Sequence, residues 1–173
     1  PLGYEPGLPL IQYKTAIDLE DKKFFGNGVG KKNRMQGNEY VHSGMYKHGV
    51  TCINCHNPHS LDNSSTKKLG DASCMQCHSF GSLIGPHQNS IEAHTKHKAN
   101  SSGSSCIECH MPKTGKHTGK SPLTVRTHVF GFITPAESRK YGVANACNSC
   151  HKEKSLEWSE KAMQKWGMES WGK

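Results

Sequence analysis

All 8 cysteines of the chain fall in one repeated frame: Cys52-x-x-Cys55-His56, Cys74-x-x-Cys77-His78, Cys106-x-x-Cys109-His110 and Cys147-x-x-Cys150-His151. Two chemistries use such cysteine pairs. A zinc ribbon takes four thiolates from two pairs and has no use for the residue behind them. Covalent haem attachment requires that residue to be histidine, because both thiols bond the porphyrin edge while the adjacent imidazole reaches the iron. With 12 histidines in 173 residues, four such neighbours would coincide by chance with a probability on the order of 10⁻⁵. The 18 residues between Cys55 and Cys74 suit a zinc ribbon, but the interval from Cys109 to Cys147 suits it poorly. The frame predicts four covalently bound haem c groups, attached through the 8 cysteines, with His56, His78, His110 and His151 as proximal ligands.

Only 33% of the residues are apolar and the mean hydropathy is −0.73, too little to bury a protein-only core. Four large apolar macrocycles change that balance. The expected fold is mostly coil with short α-helices wrapped around a stacked tetrahaem core, with little or no sheet, and the apoprotein is expected not to fold. The formal charge of +8 falls to about +4 once each ferric haem brings roughly +1 at its centre and −2 from its propionates. The basic balance is thus largely a counter-charge for propionates. No run of Lys/Arg interleaved with aromatics points to nucleic acid.

No apolar stretch approaches the roughly 18 residues of a transmembrane helix, and Pro1-Leu2-Gly3-Tyr4 does not begin a signal peptide. Thioether attachment takes place outside the cytoplasm. The expectation is an exported, mature chain whose signal peptide has been removed, extracellular or at the cell surface, otherwise periplasmic. Three regions are expected: an extended arm over 1–40, a tetrahaem core over 41–154, and an amphipathic C-terminal helix within 155–173. The arm reads either as a tail over the haem core or as a strap onto a neighbouring subunit. Ser90 is placed to cap a helix over 91–98 carrying His94 and His97 on one face. Thr134-Pro135-Ala136-Glu137 forms a capping box with proline at the first helical position, and Gly142 stops that helix. Residues 155–167 place Leu156, Met163 and Trp166 on one side.

Eight histidines remain for four distal positions. His59 lies three residues beyond His56, on the proximal side of that haem at helical rise, so it is expected to ligate a different haem held close to the first. His128, flanked by apolar residues after a long stretch without a haem motif, reads as a ligand brought in from a distance. Of His94 and His97 one is expected to ligate, with His97 preferred. His42 and His48 compete for the fourth place, with His42 preferred. His87 and His117 read as surface residues, and Met45 or Met35 is a substitute ligand that would raise a potential.

The stretches GVTCINCHNPHS, HTKHKANSSGSSCIECHMPK, RTHVFGFITPAES and GVANACNSCHKEKSLEW resemble the multihaem cytochromes related to the tetrahaem electron acceptor of hydroxylamine oxidoreductase. The resemblance covers roughly 40–158 and implies axial roles for His59, His97 and His128. Many relatives carry an acidic residue before the isolated histidine, where this chain has Thr127. The short tetrahaem architecture with its arm is similar to the extracellular cytochromes of the OmcE type, which polymerise into conducting filaments.

These readings make the chain an electron carrier with mostly bis-histidine haems. The surplus of histidines argues against an open iron, and the 14 acidic residues are dispersed, with no paired carboxylates, nucleophile elbow or phosphate loop. The expected partners are redox protein donors and acceptors or extracellular acceptors. Further copies of the chain are expected as well, in a homopolymer sealed by a haem ligand that crosses between subunits through His42 or His48. The alternatives are a soluble monomeric shuttle and a haem enzyme with one open iron acting on nitrogen oxides.

Overall fold

In the computed structural model, residues 5, 7–13, 15, 18, 20, 22–32, 34–57, 59, 65–116 and 123–167 are described. His117 and Trp171 lie outside them. Eight short helices and one two-stranded ribbon follow one another: α1 (Gln36–Val41), α2 (Gly44–Lys47), α3 (Ser65–Met75), α4 (Ile91–Thr95), α5 (Cys106–His110), β1 (Lys113–Lys116), β2 (Leu123–Arg126), α6 (Pro135–Tyr141), α7 (Ala146–Cys150) and α8 (Leu156–Lys165). The architecture is mostly helix and coil, as the sequence predicts, with little sheet. β1 and β2 pair antiparallel, Lys113 opposite Arg126 and Lys116 opposite Leu123.

Each attachment frame lies on a helical turn, because a turn of 3.6 residues brings positions i, i+3 and i+4 to one side. The first occupies the 3₁₀ turn Cys52–Asn54, the second ends α3, and the third and fourth occupy α5 and α7. The same backbone bond closes three of these turns: the His56, His78 and His151 amides donate to the Cys52, Cys74 and Cys147 carbonyls at 2.8 Å.

The caps follow from residue type. Thr134 Oγ1 accepts from the Glu137 amide at 3.1 Å, and Glu137 Oε2 accepts from the Thr134 amide at 2.8 Å. Gly142, at φ +70°, ends α6 in the left-handed conformation that glycine adopts without cost. α8 starts at the Ser155 cap and ends at Trp166, with Met163 buried. The helix expected over 91–98 stops sooner: Lys96 turns left-handed at φ +56° behind Thr95. His94 therefore stays on α4 and His97 leaves it, so the two do not share a helix face.

The protein-only core is small. Val29, Ile133 and Val143 are buried together, with Phe25, Val129 and Tyr141 packed against them. Two of these residues come from the arm. The boundary expected at residue 40 falls within α1.

Candidate haem centres

Three histidine pairs stand opposite one another with their ring planes nearly parallel. His56 and His128 stand 6.2 Å apart between ring centres with planes 22° apart. His110 faces His94 at 6.2 Å and 8°, and His151 faces His97 at 6.2 Å and 28°. Stacked neutral imidazoles in contact would lie closer. A metal bonded to both nitrogens sets a wider spacing: two metal–imidazole bonds of about 2.0 Å, each with about 1.1 Å from nitrogen to ring centre, give about 6.2 Å. Each pair joins one motif histidine to one histidine outside the motifs, so the residues fit a haem iron held between them. When bound there, haem supplies a one-electron centre.

The ring nitrogens are apportioned to suit this. His128 Nδ1 lies 3.2 Å from the Arg126 carbonyl oxygen, His97 Nδ1 2.6 Å from that of Thr95, and His94 Nδ1 3.0 Å from Gln88 Oε1. A ring that donates from Nδ1 offers its Nε2 lone pair to a metal, which fixes both tautomer and orientation. His78 Nδ1 likewise meets the Ile84 carbonyl at 2.7 Å. Burial, with the nearby Lys96 charge, pushes His94 below the ordinary histidine range; burial also lowers His110 and His128. The neutral, ligating form is thereby favoured.

His128 and α5 are held by residues to which the motifs gave no clue. Glu39, on α1, is 3% exposed. Its Oε1 accepts from the Gly30 amide at 2.7 Å and from Thr127 Oγ1 at 3.0 Å, and its Oε2 accepts from the His128 amide at 2.7 Å. A carboxylate from the arm thus reaches the backbone of the isolated histidine, with Thr127 as a further donor. Burial raises the Glu39 pKa, although the hydrogen bonds from Gly30, His128 and Thr127 work the other way. The Arg126 guanidinium donates to the Ile107 and Met111 carbonyls at 3.0 Å and pairs with Glu108, so it holds the end of α5. No motif in the sequence points to Glu39.

The attachment cysteines follow one another in space in chain order. Burial raises the Cys55 thiol, followed by the charges of Cys74, Cys52 and Cys77. Cys74 lies beside Cys106, where α3 packs on α5. Burial pushes the Cys109 thiol up to about 11, with Cys147 and Cys150 the next contributors. The first motif thus adjoins the second, the second the third, and the third the fourth.

His42, His48, His59 and His87 are exposed. Among the described residues none of them faces a motif histidine, and none faces His78. The His59 amide donates to Asn57 Oδ1 at 3.0 Å.

A family defined by a doubled CXXCH motif matches residues 44–82, the first two frames. No curated protein matches the chain. The crystal structure of outer cell wall cytochrome OcwA is similar over 94% of this chain, with a TM-score of 0.62 and 20% identity. The chain spans 45% of that protein's length. No helix among the described residues is long and apolar enough to cross a membrane. A doubled attachment motif and a shared fold give this chain the architecture of a multihaem cytochrome carrying covalently bound haem c.

Proposed function

We propose that the chain is an electron carrier with four haems, ordered in space as in sequence, three of them ligated by His56/His128, His110/His94 and His151/His97. The observation that carries this reading is the common 6.2 Å ring spacing of the three pairs. An iron with two protein ligands has no vacant position for substrate, which leaves electron transfer as its function. Adjacent cysteine pairs imply adjacent macrocycles, and the residues contribute by holding the imidazoles in fixed planes. The near-parallel planes direct both ligands' π-interactions along one axis, so ferric protein should give rhombic low-spin EPR spectra. In His94→Ala, His97→Ala and His128→Ala, about one haem in four should turn high-spin. Unchanged low-spin spectra in all three variants would overturn the reading.

His78 supports a finer proposal. Its second ligand comes from His59 of the same chain or from His42 or His48 of the next copy, all exposed. In the second case an iron–imidazole bond seals each contact, and repetition of a head-to-tail contact yields a filament. Placement outside the cell accords with this and with the similarity to an outer cell wall cytochrome. Electron microscopy of native protein, with His42→Ala and His48→Ala, tests it. Filaments lost in one variant identify the crossing ligand; monodisperse single copies unaffected by either substitution refute the polymer. A high-spin signal in unmodified protein would instead favour an open iron at His78 and a haem reductase.

A further inference from the structure

The His97 ring sits in a slot whose walls are a glycine and a tryptophan. Gly103 lies on the 3₁₀ turn Ser102–Ser104, between His97 and α5. A β-carbon at position 103 would stand 2.6 Å from His97 Cγ and 2.9 Å from His97 Nε2, and closer still to Cδ2. Real side chains do not approach so closely, so the ring passes over this backbone only because residue 103 has no side chain. On another side Trp166 meets the ring edge to face, 6.1 Å between centres and at 90°. The third restraint is local: His97 Nδ1 is hydrogen bonded to the Thr95 carbonyl, and the His97 amide donates to Thr95 Oγ1 at 3.2 Å. The helix that supplies Trp166 also reaches the opposing ligand, since Trp158 lies 4.9 Å from His151.

We infer that Gly103 and Trp166 are positioning residues for the fourth haem, forming a slot that holds the His97 imidazole in the plane and at the height needed to meet His151 across the iron. This rests on the reading of His97 and His151 as axial ligands. No other described glycine stands in this relation to a histidine: Gly37 and Gly131 have open space where a β-carbon would go. The 28° between the His97 and His151 planes is then set by the slot walls and the Thr95 bond together.

The test uses holoprotein with its haem content verified. Gly103→Ala should convert about one haem in four to high-spin in ferric EPR and allow the reduced protein to bind about one carbon monoxide more, whereas Gly37→Ala should change neither. Trp166→Leu should broaden the low-spin signal of the same haem without removing the ligand. A second measurement does not depend on the tether to residue 97. In His97→Gly, added imidazole should restore the low-spin spectrum, and in His97→Gly/Gly103→Ala its dissociation constant should rise at least tenfold. Equal imidazole affinities in the two backgrounds, or a low-spin Gly103→Ala protein, would overturn the slot while leaving the ligand assignment intact. A His97→Ala protein with an unchanged spectrum would overturn both.

Discussion

Glu39 shows how one buried carboxylate fixes a histidine whose ring it does not touch. Its two oxygens accept three donors, and one of these is the amide of His128. Glu39→Ala leaves those donors buried without an acceptor, a loss of about 2–3 kcal/mol, since hydrogen bonds to charged groups are the stronger kind. Glu39→Gln keeps one oxygen and should cost less; denaturant unfolding followed in the Soret band measures both. The motif histidines stand out in the sequence because each is contiguous with its cysteines. His128 stood out by its isolation between apolar neighbours, but its pairing with His56 did not, because nothing local encodes a contact across so long an interval. The sequence preferred one of His94 and His97, whereas the structure sets each against a motif histidine. The left-handed turn at Lys96 that separates them has no glycine to announce it.

At the scale of elements, the helix over Pro135–Tyr141 was readable to its ends because its start and stop are chemical: a capping box, a proline and a glycine. Thr134→Ala should cost about 1 kcal/mol, the worth of a lost N-cap, visible as a lower unfolding midpoint. The contact of α6 with α8 was not readable, since it depends on long side chains meeting across a gap. Arg139 donates to Glu157 at 2.8 Å and to Glu160 at 3.0 and 3.1 Å. The hydrogen bond from Arg139 holds the Glu157 carboxyl down at about 2, below its ordinary 4.5. A depressed carboxylate stabilises the fold fully above its unfolded value, and the contribution fades as pH falls through the folded one. Arg139→Ala should therefore lower the melting temperature slightly at pH 7, by less and less as pH falls below about 4.5, with the effect gone only below about pH 2. Both groups are exposed, so the difference should shrink in high salt.

Among the described residues of the molecule, the buried apolar set is a handful around Val29, Ile133 and Val143. That core is far too small to offset the conformational entropy of the chain. Protein made without haem attachment should accordingly give no cooperative melt and a poorly dispersed NMR spectrum. Bis-histidine ligation lacks the thioether that raises potentials, so spectroelectrochemistry should find every such haem below the zero of the standard hydrogen electrode. The steps should overlap, because adjacent centres feel each other's charge. The composition predicts a core made of cofactor. It could not announce that the arm would pack Phe25 and Val29 against Ile133 and Val143 and send Glu39 to Thr127 and His128, because scattered single residues carry no periodicity.

The pairing of His56 with His128 also bears on biogenesis. A polypeptide is made amino end first, and His94 and His97 precede the motif histidines they face, so on the proposed ligation those two centres would have both ligands present once their haem is attached. The first centre differs, since His56 emerges long before His128. On the proposed ligation its haem would wait, half ligated, until the segment bearing β2 had been made. Chains cut short before residue 128 should accumulate with that iron open and prone to oxidative damage, and the first haem attached would then be the one whose surroundings are finished late.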